Sequence, residues 1–332
     1  PYGILSITEH EGQKNYYENH QWISSSGDIQ AIEEMAHYAM LQHPHPKKIL
    51  VVSAGLLALT DEILKYNPEQ IDYASLNFWW LKDSVVVTAI FTDPRIRPIY
   101  DEPRHYIRHH KGIYDVLILD IPDPVTAALN RYFTVEFLRE LRAITYDQSV
   151  VMYGLSSSAD YLSEEKRRSH STIIGTLSSA FRNTLILPGM RDYVLLSDAP
   201  LSFRIAGAIS AKGLTTQYVN AYYIQDDWLE RRSDWIHATL EMPTEMNHDF
   251  RPVAYLELIR LWLSTVGYSL WGVGLLLIVL IGIFIRFGNP YAWSMMIVGM
   301  TGASAEILLL LAFQILFANV YYLIGLSLIH IS

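Results

Sequence analysis

The chain has 332 residues, 51% hydrophobic and 18% charged, with 25 Lys and Arg against 34 Asp and Glu for a formal net charge of −9. An acidic balance without a basic stripe excludes a nucleic-acid surface. The apolar content excludes intrinsic disorder, and the lack of cysteine removes disulfides, Cys-ligated zinc and thiol catalysis.

Residues 3–24 alternate short apolar runs with turn residues, which predicts a small antiparallel sheet. A helix is expected from Asp28, with Ile32, Met35, Ala36 and Met40 along one face. Beyond His43-Pro-His-Pro46 the rhythm changes to a continuous apolar strand at 48–53, with further strands expected at 71–76, 96–100, 114–120, 149–154, 183–187 and 193–197. Helices at 57–66, 103–109, 134–144 and 164–181 separate most of them. Unalternating strands interleaved with helices predict a mostly parallel α/β sheet covered on both faces.

Beyond Arg260 only Arg286 and Glu306 carry full charge, which leaves 24 basic and 33 acidic side chains (25 and 34, less one each) in the first 260 residues. Residues 261–285 hold no Asp, Glu, Lys or Arg, and about 20 such residues span a bilayer core of about 30 Å. A transmembrane span is therefore expected at 261–286. Arg286, Gly288, Asn289 and Pro290 read as a tight turn into a second span at 292–317, with Glu306 facing a protein neighbour or a cavity. A third apolar stretch at 320–331 is too short to cross, so the chain reads as a fragment of a larger polytopic protein. Arg251 and Arg260 on the domain side against Arg286 on the other favour a cytoplasmic domain.

Ligands of parallel sheets bind at the carboxyl ends of the strands. That rule selects Ser53-Ala-Gly-Leu-Leu57, Ser75-Leu-Asn77, Tyr100-Asp-Glu102 and Asp120-Ile-Pro-Asp-Pro124. In the last, two carboxylates three residues apart end an apolar strand, where they can pair with a cation or take a proton. Asp and Pro are also ordinary loop formers, so the motif alone is weak. His43, His45, His109 and His110 lack metal-spaced partners and read as solvated loop residues, and Trp79-Trp80 read as core.

The order of these segments resembles the spermidine synthase (polyamine aminopropyltransferase) family. Tyr114-Asp-Val-Leu-Ile-Leu-Asp-Ile-Pro-Asp-Pro124 is similar to the family's Y-D-V-I-I-x-D-x-x-D-P, and residues 129–137 continue like L-Y-T-x-E-F. His43-Pro-His-Pro-Lys-Lys-Ile-Leu-Val-Val52 is similar to H-P-x-P-K-K-V-L-x-I, Glu62-Ile-Leu-Lys65 to E-V-L-K, and Glu33-Glu-Met-Ala-His37 to an E-x-x-x-H helix. Asp101-Glu-Pro-Arg104 approximates D-A-R, and Asn247-His-Asp-Phe-Arg-Pro252 resembles bacterial members fused to transmembrane helices.

The resemblance implies a Rossmann-like, methyltransferase-type sheet at 46–255, preceded at 1–45 by a small β-sheet and helix and followed at 261–332 by transmembrane helices. It implies a multi-pass protein of the bacterial inner membrane, with the bilayer, polyamines and adenosyl compounds as partners, no nucleic acid, and a homodimer left open. The reaction implied is transfer of an aminopropyl group from decarboxylated S-adenosylmethionine, a co-substrate, to an amine such as putrescine, with no cofactor or metal. By this resemblance Asp120 is the base and Asp123 holds the cationic amine, with Tyr153, Gln21 and Asp28 as further pocket candidates. Gly55, Ser53, Ser75, Asp101 and Glu102 fall on the nucleoside side. There the sequence departs from the family: G-G-G-D-G is replaced by Ser53-Ala-Gly-Leu-Leu57, the ribose-binding acid by Ser75, and the following Asp by Asn77. A hydroxyl lacks the charge and bidentate reach of a carboxylate. Two alternatives stay open: a catalytically inactive sensing domain that regulates attached transporter-like helices, and an enzyme using a different nucleoside donor.

Overall fold

The alternation at the N-terminus resolves into three antiparallel strands, β1 (Leu5–His10), β2 (Gln13–Glu18) and β3 (Gln21–Ser25), in the order β1-β2-β3. The computed structural model describes residues 5–10, 12–18, 21–55, 58–77, 81, 91–157, 164–240, 245–266, 270–287 and 289–317. Trp79-Trp80, Leu56-Leu57 and the apolar stretch 320–331 lie outside them. Helix α1 (Ile29–Met40) starts immediately after Asp28 and buries Ile32, Met35, Ala36, Ala39 and Met40.

The apolar runs then form β4 (Lys48–Ser53), β5 (Gln70–Ser75), β6 (Ile96–Ile99), β7 (Val116–Asp120) and β8 (Val150–Ser156), which pair in parallel. Strands β9 (Asn183–Pro188) and β10 (Arg191–Ser197) complete one seven-stranded sheet in the order β6-β5-β4-β7-β8-β10-β9. β10 is antiparallel to both neighbours. Its first residue therefore lies at the edge where β4, β7 and β8 end.

Every residue of β7 is buried because both sheet faces are covered. Ile49, Val51, Ile118 and Met152 point to the face packed by α1. Leu50, Val52, Leu117, Leu119 and Val151 point to the opposite face, against Ile107, Phe137, Leu138 and Ile173. The helices supplying the second face are α3 (Pro103–His109), α5 (Val135–Arg142) and α6 (Glu164–Ser178); α2 (Leu59–Leu64) follows β4, and the single turn α4 (Ala127–Asn130) precedes α5. Helices α7 (Ile205–Lys212) and α8 (Asp226–Thr239) follow the sheet.

Asp115 locks the starts of two central strands together. Its Oδ2 accepts from the Lys47 and Lys48 backbone N–H groups, both at 2.8 Å, and its Oδ1 from the Tyr146 hydroxyl at 2.8 Å. Burial raises its pKa, but those donors and nearby His43 outweigh that and hold it below the ordinary carboxylate range.

At the C-terminus α9 (Val253–Val266) starts eight residues before the first apolar residue of the expected span, because Ala254 is drawn fully into the second core and the helix packs along α6. The expected span 261–286 falls on α9 and on α10 (Leu270–Phe287), with residues 267–269 outside the description. The expected span 292–317 lies within α11 (Pro290–Phe317). Among the described residues one stretch, Trp293–Leu310, is long and apolar enough to cross a bilayer, and none of it is buried.

Candidate active site

Parallel register sets three of the expected residues side by side. Ser53 pairs with Ser75 on one flank and with Asp120 on the other, so the last residues of β5, β4 and β7 form a row at the carboxyl edge of the sheet. All three are buried. The Ser53 hydroxyl donates to Asp120 Oδ2 at 2.7 Å and accepts from the Gly55 N–H at 2.9 Å, while the Ala54 N–H donates to the Asp120 carbonyl at 3.1 Å. Gly55 has φ +151°, a conformation that glycine takes without strain. The retained glycine thus stands where the backbone turns away from β4. Ser75 accepts from the Asn77 N–H at 3.2 Å, closing the equivalent turn after β5.

The other oxygen of Asp120 is held by a residue that the sequence did not single out. Arg191 Nη1 donates to Asp120 Oδ1 at 2.7 Å, and Nη2 donates to the carbonyls of Ile121, at 3.3 Å, and Gly154. Arg191 starts β10 opposite Ser156, and its side chain crosses β8 to reach the end of β7. Gly154 permits the crossing: a Cβ there would stand 3.0 Å from the Arg191 Cζ and 3.1 Å from Met35.

The turn before Arg191 is fixed by α1. Glu34 Oε2 accepts from the Met190 N–H at 2.7 Å, and Oε1 from the Gln30 side chain at 2.8 Å. Burial pushes the Glu34 carboxyl up, and the donated bonds offset only part of that. A β-carbon at Gly189 would sit 2.3 Å from Glu34 Oε2, so it would force that carboxylate to move.

Asp123 lies just beyond, half-buried, and takes the Ser156 N–H at 3.0 Å and the Ser156 hydroxyl at 2.5 Å. The two expected amine-side carboxylates are therefore gathered around the ends of β7 and β8. Beyond Asp123, Val125 and the α9 residues Tyr255, Leu258 and Ile259 line an apolar cleft of about 370 Å³. The loop that carries Asp123 thus abuts the helix leading to the apolar tail.

The other expected residues sit differently. Tyr153 is fully buried on the opposite face and donates to the Tyr132 carbonyl at 3.0 Å, so its hydroxyl is committed to the core. Glu102 caps α3, accepting from the Arg104 and His105 N–H groups at 3.1 and 2.8 Å and from the Tyr132 hydroxyl. Asp101 is more open; it takes the Glu102 N–H at 2.8 Å and the His105 ring at 2.6 Å. Gln21 lies on β3 opposite Glu18, and Asp28 precedes α1 without a side-chain cap bond.

Arg191 follows a Pro-Gly turn and opens an apolar strand. Its only sequence signal is a cation at the edge of a strand whose remaining residues are buried, joined to a lone glycine in β8.

Residues 30–155 match the family model described as the spermine/spermidine synthase domain. A polyamine aminopropyltransferase of Thermotoga petrophila is 31% identical over 115 residues, 32% of this chain and 37% of the relative. One from Leptospira interrogans is 26% identical over 225 residues, 61% of this chain and 43% of the relative. The chain thus spans about two-fifths of the length of these curated relatives. Among solved structures, a spermidine synthase in complex with the transition state analogue AdoDATO aligns with a TM-score of 0.57 at 18% identity, over 72% of this chain and 85% of that one. The Thermotoga maritima spermidine synthase aligns at 0.54 and 19%, over 72% and 84%. Those likenesses show the fold.

Proposed function

We propose, from the match of residues 30–155 to the spermine/spermidine synthase family model and the similarity to polyamine aminopropyltransferases, that the domain transfers an aminopropyl group from decarboxylated S-adenosylmethionine to an amine such as putrescine. The observation that carries this reading is Asp120 at the end of β7, beside Ser53 and Ser75, with Asp123 on the adjoining loop. In the transfer the amine nitrogen attacks the propyl carbon bonded to the sulfonium. The C–S electron pair passes to sulfur, which leaves as neutral methylthioadenosine, and the nitrogen's proton goes to Asp120. Most of the rate enhancement available to such a displacement comes from holding the two substrates in line, with proton removal adding to it. Asp123, tied to Ser156, steadies the cationic far end of the amine.

Purified full-length protein given putrescine and decarboxylated S-adenosylmethionine should form spermidine and methylthioadenosine, and Asp120→Asn should abolish both. Absence of product together with absence of binding of either substrate overturns the reading.

Two observations favour a second reading, a catalytically inactive sensing domain for the attached helices. Arg191 already occupies the Asp120 oxygen that would meet the amine, and the loop after Ser53 keeps one glycine. On that reading an amine changes the position of the loop at Val125, which α9 contacts across the apolar cleft, without turnover. A product that vanishes with Asp120→Asn rules it out.

The C-terminal helices we read as membrane spans of a multi-pass protein, with the domain on the cytoplasmic side, supported by the exposed apolar stretch Trp293–Leu310. The full chain should stay in the membrane fraction through an alkaline carbonate wash; release into the wash rejects anchoring.

A further inference from the structure

We infer that Arg191 is a tethered cation that occupies the acceptor-amine position against Asp120, so that the site is closed by the protein's own guanidinium until an amine displaces it. This rests on the reading above that Asp120 faces the amine, and it adds the residue that sets how strongly a cation can bind there.

A carboxylate as buried as Asp120, at 8% exposure, persists only with a partner that compensates its charge. In an aminopropyl acceptor site that partner is the substrate's ammonium. Here the chain supplies it, through a cradle built on three elements: Asp120 Oδ1 from β7, the Gly154 carbonyl from β8 and the Ile121 carbonyl from the loop after β7. Gly154 clears the path by lacking a Cβ. Glu34 fixes the backbone at Met190, one residue before Arg191. The Arg191 side chain keeps 24% of its surface in solvent against 12% for Asp120, so the cation is the more open member of the pair.

A cation brought to Oδ1 beside Arg191 is repelled by the guanidinium already there. A diamine that takes Oδ1 for itself displaces Arg191 and leaves the Gly154 and Ile121 carbonyls to water. Its observed affinity is lowered by the free energy of that closed state, as in any site whose competent form is the minor one.

The test titrates putrescine into full-length protein by calorimetry, comparing the unaltered chain with Arg191→Met, Arg191→Ala and Arg191→Lys. Arg191→Met keeps the aliphatic stem and removes the charge, and it should bind putrescine roughly tenfold tighter or more. Arg191→Lys, which retains a cation, should stay near the unaltered value. In Arg191→Ala the emptied cradle should accept methylguanidinium, which should compete with putrescine, whereas it should not compete in Arg191→Lys. Thermal melts confirm that each variant is folded. If Arg191→Met does not fold, the methylguanidinium competition in Arg191→Ala decides the matter.

Equal or weaker putrescine binding in Arg191→Met overturns the inference, as does failure of methylguanidinium to compete in Arg191→Ala. The transfer reading is scored separately, by methylthioadenosine release. A gain in amine affinity without turnover in any variant removes the transfer reading and leaves the tethered cation standing. Turnover in the unaltered chain, with the putrescine KM unchanged by Arg191→Met, does the reverse.

Discussion

Arg104 holds both carboxylate oxygens of Asp249, Nη1 to Oδ1 and Nη2 to Oδ2, each at 2.8 Å, across 145 residues of sequence. The same guanidinium takes Glu140 through Nε and Nη2 at 2.8 and 3.0 Å and the Arg131 carbonyl at 2.8 Å. At 1% exposure it is a buried cation with two carboxylate partners. It pins the segment just before α9 to α3, the helix that Glu102 caps. Removing one partner of such a pair strands the other in low dielectric, at a cost of about 3–5 kcal/mol. Arg104→Ala should lower the midpoint of thermal unfolding far more than Arg108→Ala, whose guanidinium is half exposed on the same Glu140. Equal midpoints would mean the latch carries no stability.

Much of this architecture was legible in the residues. The runs at 48–53 and 114–120 read as strands covered on both sides; they form β4 and β7 (Val116–Asp120), which lie side by side at the centre of the sheet. The Glu33-to-His37 helix was recognisable by resemblance, but the roles of its polar residues were not. Glu33 accepts three backbone N–H groups from residues 217–219, at 2.6, 2.7 and 3.0 Å, and His37 bridges Tyr66 and Glu62 at 2.7 and 3.0 Å. Those partners are 25 to 186 residues away, and no local period reports them. Tyr153 shows the opposite limit: the resemblance makes it a pocket candidate, whereas the alternation of strand faces turns its side chain into the core.

Asp115 sets an acid limit on stability. Its folded pKa lies below its unfolded one, so its contribution is fully present above the unfolded carboxylate range and is lost as pH falls through the folded value. Unfolding free energy should therefore drop on acidification below about pH 4, and Asp115→Ala should flatten that slope. The same change leaves the Lys47 and Lys48 N–H groups without their acceptor, at a cost of about 1–3 kcal/mol at neutral pH. Urea titrations at pH 7 and in the acid range check both; an unchanged acid slope in Asp115→Ala assigns the effect elsewhere.

Gly189 tests how the turn before Arg191 is held. A methyl group there must displace the Glu34 carboxylate, which then gives up the Met190 N–H. Overpacking of this kind costs about 1–3 kcal/mol, so Gly189→Ala should lower the thermal midpoint. It should also loosen Arg191 and raise putrescine affinity in the direction of Arg191→Met. A destabilised variant with unaltered amine affinity would show that Arg191 holds its position without the turn.

The nucleoside side offers the converse experiment, restoring a group rather than removing one. Ser75 ends β5 in register with Ser53, and the resemblance to the family implies a ribose-binding acid at this position. The Ser75 side chain is fully buried and its hydroxyl accepts the Asn77 N–H. Ser75→Asp therefore puts an unpaired charge into the site of the free protein, which should lower its thermal midpoint. A bound ribose supplies two donors to that carboxylate, and charged hydrogen bonds are roughly twice as strong as neutral ones. Methylthioadenosine should then bind about tenfold tighter or more, and saturating ligand should recover the lost midpoint by mass action. Both signs must appear together. A variant that loses stability without gaining nucleoside affinity would show that the carboxyl edge of β5 does not face a ribose in this protein.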